Sequence, residues 1–208
     1  MGEGGMIQAM SAERTASQLM SVEDYLEWEA TQEQRYEYVG GMVYPIEGMA
    51  GGTIDHAMIA ANALIALGSQ MRGKSCRPVG SDLKVRIEYS THTRFYYPDL
   101  TVICEMGSGQ ARYHDKPVVI VEVASESTRR IDELEKKEAY LSIPSLLAYV
   151  QLEQETAAAV VWRRGEDGFV RETYCGLGVV IALPEIDAEL SLCDVYEAVD
   201  FAASESAE

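Results

Sequence analysis

Paired cysteines, basic charge and long apolar runs are all scarce in this 208-residue chain. Its four cysteines, Cys76, Cys104, Cys175 and Cys193, form no CxxC pair and match no zinc-site spacing. Scattered thiols behind an N-terminus with no basic or apolar leader segment are expected of a protein in a reducing cytoplasm. No stretch approaches the roughly 18 apolar residues needed to span a bilayer, so a soluble protein without a membrane segment is expected. The three histidines form no HxxxH pair, which argues against a histidine-based zinc site. The glycine-rich stretch 48–52 lacks the lysine and spacing of a phosphate-binding loop. Ser125 and Ser127 occupy no nucleophile elbow, so a serine hydrolase has little support.

Basic residues number 17 against 34 acids, a net charge of −17 that argues against casual nucleic-acid binding. The distribution softens that objection. Residues 1–34 carry −6 and residues 182–208 carry −8, leaving −3 for everything between. A nucleic acid could meet a locally basic surface there. Apolar content of 47% is ordinary and permits a sizeable core.

The pattern along the chain predicts one domain of mixed helix and strand. Residues 1–20 are expected to be frayed. Ser21 followed by Asp24 reads as an N-cap, with a short helix to Ala30. Tyr36–Val39, Gly40-Gly41 and Met42–Tyr44 read as a hairpin with a two-residue glycine turn. Thr53–Met71 reads as a long helix burying Ile59, Ala63, Leu67 and Met71. Strands are expected at Asp82–Glu88, Phe95–Cys104, Val118–Ala124 and Leu146–Leu152, with a helix over Arg130–Ser142 stopped by Pro144. Ala157–Arg164, Phe169–Tyr174 and Val179–Leu183 read as antiparallel strands, and a final helix is expected around Val195–Phe201.

Two of these strand-like runs each hold one carboxylate, Asp99 in Tyr97-Pro-Asp-Leu-Thr-Val-Ile103 and Glu122 in Val118-Val-Ile-Val-Glu-Val123. Burying an unpaired carboxylate costs several kcal/mol. Either acid alone reads as an edge residue with a salt-bridge partner. Together, on neighbouring strands, they point to a divalent metal held by oxygen ligands, and so to phosphodiester chemistry. Pro98 puts Asp99 near a strand start, and Glu122 shares a strand face with Ile120 and Ala124. Asp132, Lys136 and Tyr140 share one face of the following helix. Lys136 reads either as a water-positioning or charge-stabilising group, or as half of an ordinary surface pair. Glu37 reads as a third acid or as the solvent side of the hairpin. His56, in the first turn of the long helix, reads as structural or as a ligand. Arg129 and Arg130 read as phosphate contacts or as exposed residues.

Several stretches together resemble the Uma-type (Uma-two) family of endonuclease-like proteins. They are Arg35–Tyr44, Ile54–Asn62 with His56, Ser81–Val85, Tyr96–Asp99, Val121–Ser125 with Ser127-Thr128, Asp132–Tyr140 and Ile143–Tyr149. The resemblance runs from about Ser21 to Val199. It implies a restriction-endonuclease-like, PD-(D/E)XK fold of α/β (α+β) class. That fold is a mixed β-sheet core flanked by helices, with an N-terminal β-hairpin and extra C-terminal antiparallel strands. The single domain would cover 21–200, followed by an acidic tail at 201–208. The resemblance further implies a site built on Asp99 and Glu122, with Glu37 as a further acid and the backbone carbonyl of Val123 as a third ligand to Mg²⁺ or Mn²⁺. Lys136 would replace the motif's usual lysine, since Ala124 stands two residues after the glutamate. His56, Ser125, Arg129 and Arg130 would contact substrate. DNA is the implied partner and a homodimer the implied assembly. A non-catalytic, nuclease-like module binding a nucleic acid or protein is the alternative.

Overall fold

A computed structural model describes residues 19–46, 53–124 and 132–201, with backbone alone at 132 and 133. The first helix, α1 (Val22–Glu29), starts where the Ser21 side chain accepts the Asp24 N–H. That bond satisfies one of the orphan donors of the first turn. Strands β1 (Tyr36–Val39) and β2 (Met42–Pro45) form the expected hairpin. Its turn places Gly40 at φ 57° and Gly41 at φ 102°, a conformation that side chains with a Cβ rarely adopt. Helix α2 (Ile54–Gln70) is capped by Thr53, and Ile59, Ala63 and Leu67 lie one or two turns apart on its buried face.

The remaining strands are β3 (Arg77–Gly80), β4 (Lys84–Glu88), β5 (Thr93–Tyr96), β6 (Leu100–Ile103), β7 (Tyr113–His114), β8 (Pro117–Ala124), β9 (Ala148–Glu153), β10 (Ala158–Gly165), β11 (Gly168–Cys175), β12 (Val180–Leu183) and β13 (Ala188–Ser191). Helix α3 (Asp132–Leu141) lies between β8 and β9, and the one-turn α4 (Leu192–Val195) follows β13. The strands form three sheets. A six-stranded sheet runs β11-β10-β9-β8-β6-β3, a five-stranded one β2-β1-β5-β4-β7, and β12 pairs with β13. The six-stranded sheet is mixed. Its β8 and β9 are parallel, which requires a crossover, and the segment containing α3 supplies it.

Helix α2 covers one face of this sheet, packing Ile59, Ala63 and Leu67 with Val119, Val121 and Val123. The other face of β8 turns Ile120 toward Tyr140, Ala139 and Ile143. Each fully buried aliphatic side chain contributes about 1.5–3 kcal/mol. A third cluster joins Tyr25 of α1 to Tyr38 and Phe95. Lys84 is buried beside it, paired with Glu29, its ammonium 4.9 Å from the centre of the Tyr25 ring.

Several expectations need correction. The run Phe95–Cys104 is two strands in two sheets, because Pro98 has no N–H to continue a ladder. The 82–88 strand starts only at Lys84. Strands β3, β7 and β13 escape the sequence reading. In β3, Pro78 and Gly80 disguise an edge strand. Strand β12 pairs with β13 and not with β11. The final helix ends at Val195, and Ala198 takes φ 62°, which no α-helix continues. The cysteines are not all separate thiols. Cys76 and Cys104 form a disulfide one step beyond the Arg77–Ile103 pairing, while Cys175 and Cys193 are free and exposed. The inference of a reducing compartment from unpaired thiols loses that support. Among the described residues no helix is long and apolar enough to cross a membrane.

Candidate active site

Antiparallel pairing of β6 with β8 sets Leu100 opposite Val121, so Asp99, just before β6, falls beside Glu122. The two acids are tied together. Asp99 Oδ2 accepts the Val123 N–H at 2.8 Å, and the Asp99 N–H reaches Glu122 Oε2 at 3.4 Å. Asp99 Oδ1 lies 3.1 Å from His56 Nε2. The Thr53 cap places His56 in the first turn of α2, pointing at the strand start. From the opposite side Tyr140 donates its hydroxyl to Glu122 Oε1 at 2.8 Å. One helical turn earlier, Lys136 Nζ is 2.6 Å from Glu37 Oε1 and 5.5 Å from the centre of the Tyr96 ring.

These contacts split the two acids electrostatically. Burial pushes Asp99 up, but the His56 hydrogen bond and charge, with the Val123 N–H, outweigh it and hold Asp99 below its ordinary value. At Glu122, burial and then the Asp99 charge prevail over the opposing pull of Lys136 and Tyr140, so Glu122 sits well above the usual carboxylate range. The hydrogen bond to Asp99 raises His56 against its burial. Burial pushes Lys136 down, and the charges of Glu37 and Glu122 more than reverse it.

Where the sequence left Glu37 between a third acid and a solvent-facing residue, the structure gives it to Lys136. Among the described residues no three His, Cys, Asp or Glu side chains are grouped to hold a metal ion. A pair of carboxylates is nevertheless a fitting donor set for Mg²⁺, which keeps several waters and uses one or two carboxylates. Burial first, and then the Asp99 charge, disfavours an ionised Glu122, and a cation between the two acids would relieve the second of these. Ser125, Arg129 and Arg130 lie outside the described residues, as does the stretch 48–52. The sequence reading placed Tyr140 on the Lys136 face yet gave it no role. Its helical spacing from Lys136 was the available signal.

The mixed sheets flanked by helices form a nuclease-like α+β fold. The chain belongs to the Uma2 family, described as "Putative restriction endonuclease", whose model matches residues 22–195. It resembles two uncharacterized proteins of Synechocystis sp.. It is 29% identical to slr1290 over 151 residues, 72% of this chain and 76% of that one. It is 26% identical to sll1609 over 145 residues, 66% of this chain and 77% of that one. Its fold resembles the crystal structure of a putative nuclease belonging to DUF820 from Anabaena variabilis. The TM-score is 0.65 at 15% identity, covering 86% of this chain and 98% of that one.

Proposed function

We propose that this protein is a divalent-cation-dependent endonuclease that hydrolyses phosphodiester bonds in DNA. The observation that carries the reading is the juxtaposition of Asp99 and Glu122, with the Lys136–Glu37 pair nearby. Asp99, Glu122 and the Val123 carbonyl would hold Mg²⁺ or Mn²⁺, which supplies Lewis-acid polarisation of a phosphate and activation of water. The chain's own residues do the rest. His56 and the Val123 N–H fix the Asp99 carboxylate. Glu37 holds Lys136, whose ammonium then orients an attacking water or neutralises charge growing on the phosphate. Lys136 comes from α3, not from the strand position that Ala124 occupies, so the helix takes over a task that the usual motif gives to the strand. Assembly as a homodimer belongs to the same reading, and equilibrium sedimentation tests it.

The direct test is nicking or linearisation of supercoiled plasmid in Mg²⁺ or Mn²⁺. The parent should cut, and Asp99→Ala should not, while retaining the parent's circular dichroism. Equal cutting by both contradicts the reading. Failure of the parent both to cut and to bind Mn²⁺ supports instead a nuclease-like module that binds a nucleic acid or protein partner.

A further inference from the structure

We infer that Tyr140 is a positioning residue that sets the orientation of the Glu122 carboxylate for cation binding. The inference rests on the metal-site reading above and adds a residue to it. Tyr140 is 0% exposed. Its ring sits between Tyr96, at 5.8 Å between centroids and nearly perpendicular, and Tyr149, at 5.6 Å. Tyr149 stacks in turn on Trp162 at 5.3 Å. A ring wedged in this way has little freedom, so its hydroxyl is a fixed point.

That fixed hydroxyl donates to Glu122 Oε1 at 2.8 Å. The second oxygen, Oε2, takes the Asp99 N–H at 3.4 Å and so faces the Asp99 side of the pair. Between the two donors the carboxylate plane is defined. A carboxylate that ligates a metal is commonly oriented by an outer hydrogen bond of this kind, and losing such a partner typically weakens metal affinity 10- to 100-fold.

Helix geometry adds a second consequence. Tyr140 lies four residues after Lys136, so both leave the same face of α3. Ala139, Tyr140 and Ile143 anchor this part of the chain in the core. One packed surface therefore sets the Glu122 carboxylate and the Lys136 ammonium together. A Tyr140 that merely fills space would need only its ring.

Tyr140→Phe separates the two roles, because it keeps the ring and removes the hydroxyl. Mn²⁺ binding is measured by titration calorimetry on the parent, Tyr140→Phe, Glu122→Gln and Tyr196→Phe. The last removes another buried hydroxyl, one that donates to Glu153 O and Ala158 O in the other core cluster. The expected result is a dissociation constant 10- to 100-fold weaker in Tyr140→Phe and unchanged in Tyr196→Phe. A Tyr140→Phe value within twofold of the parent, with binding lost in Glu122→Gln, overturns the Tyr140 assignment and leaves the metal site standing. Equal weakening in both phenylalanine variants also overturns it, since the effect is then general loosening of the core. No Mn²⁺ binding by the parent overturns the metal reading and this inference with it.

Discussion

Glu122→Gln should make the cation-free protein more stable, the opposite of what removing a buried hydrogen-bonded side chain ordinarily does. Burial and the Asp99 charge hold Glu122 well above its ordinary value, so the ionised form is disfavoured in the fold. An acid raised in this way binds its proton more tightly when folded. Its penalty is absent below the unfolded carboxylate value of about 4.3, grows as the pH rises, and is complete above the folded value. Two unit charges about 4 Å apart repel by roughly 4 kcal/mol at an effective dielectric of about 20. Lys136 and the Tyr140 hydroxyl offset part of that. Glutamine keeps an acceptor for Tyr140 and offers the Asp99 carboxylate an N–H, at the loss of the long 3.4 Å bond that Glu122 Oε2 accepts from the Asp99 backbone N–H. The net gain expected for Glu122→Gln at pH 8 in EDTA is roughly 1–3 kcal/mol, which is a melting-point rise of about 2–12 °C for a chain of this size. The gain should shrink toward zero near pH 4. Differential scanning calorimetry at both pH values reads it. Adding Mn²⁺ should reverse the order, because only the parent binds it; at 1,000 times the dissociation constant the parent gains about 4.1 kcal/mol, more than the variant's whole expected advantage. A Glu122→Gln protein less stable than the parent in EDTA at pH 8 refutes the reasoning and makes Glu122 an ordinary structural partner.

Three further outcomes follow from other contacts. Lys136→Met should lower the cleavage rate about 10²- to 10³-fold, the loss seen on removing one charge-stabilising donor, while Mn²⁺ still binds by calorimetry; an unchanged rate removes Lys136 from the mechanism. Lys84→Met should destabilise by about 3–5 kcal/mol, because Glu29 is then left buried without its counter-charge, and Glu29→Gln with Lys84→Met should be milder than the sum of the single changes; urea unfolding measures both. Reducing the Cys76–Cys104 bridge, which spans 28 residues, should cost roughly 3–4 kcal/mol of stability; a melting point that a reductant does not move contradicts this.

Elements with strong local signals were legible in the sequence. Ser21 caps its helix, and the Gly40-Gly41 turn forms the hairpin, because each rests on short-range chemistry; Thr53, read as the first residue of the long helix, is its cap. The apolar period of α2 likewise faces the core. What escaped depends on distant partners. Strand β3 contains Pro78 and Gly80 and is held by β6, more than twenty residues away. The same pairing creates the Cys76–Cys104 bridge, which no cysteine spacing reveals. At the candidate site, Asp99 and Glu122 stood out because acids interrupt apolar β-runs. Their partners did not: the His56–Asp99 and Glu37–Lys136 contacts join residues 43 and 99 positions apart, on elements whose approach only the fold decides. The local reading could not choose between a third acid and a solvent-facing Glu37, and did not foresee its pairing with Lys136, for this reason. The Lys84–Glu29 pair inside its aromatic cluster was hidden likewise.

The central claim meets its most direct test in a crystal of the parent protein soaked in Mn²⁺ and measured at the manganese absorption edge. One anomalous peak within bonding distance of both the Asp99 and the Glu122 carboxylates is the predicted result. Manganese bound elsewhere, or none at all with the His56–Asp99 and Tyr140–Glu122 hydrogen bonds undisturbed, would contradict the account.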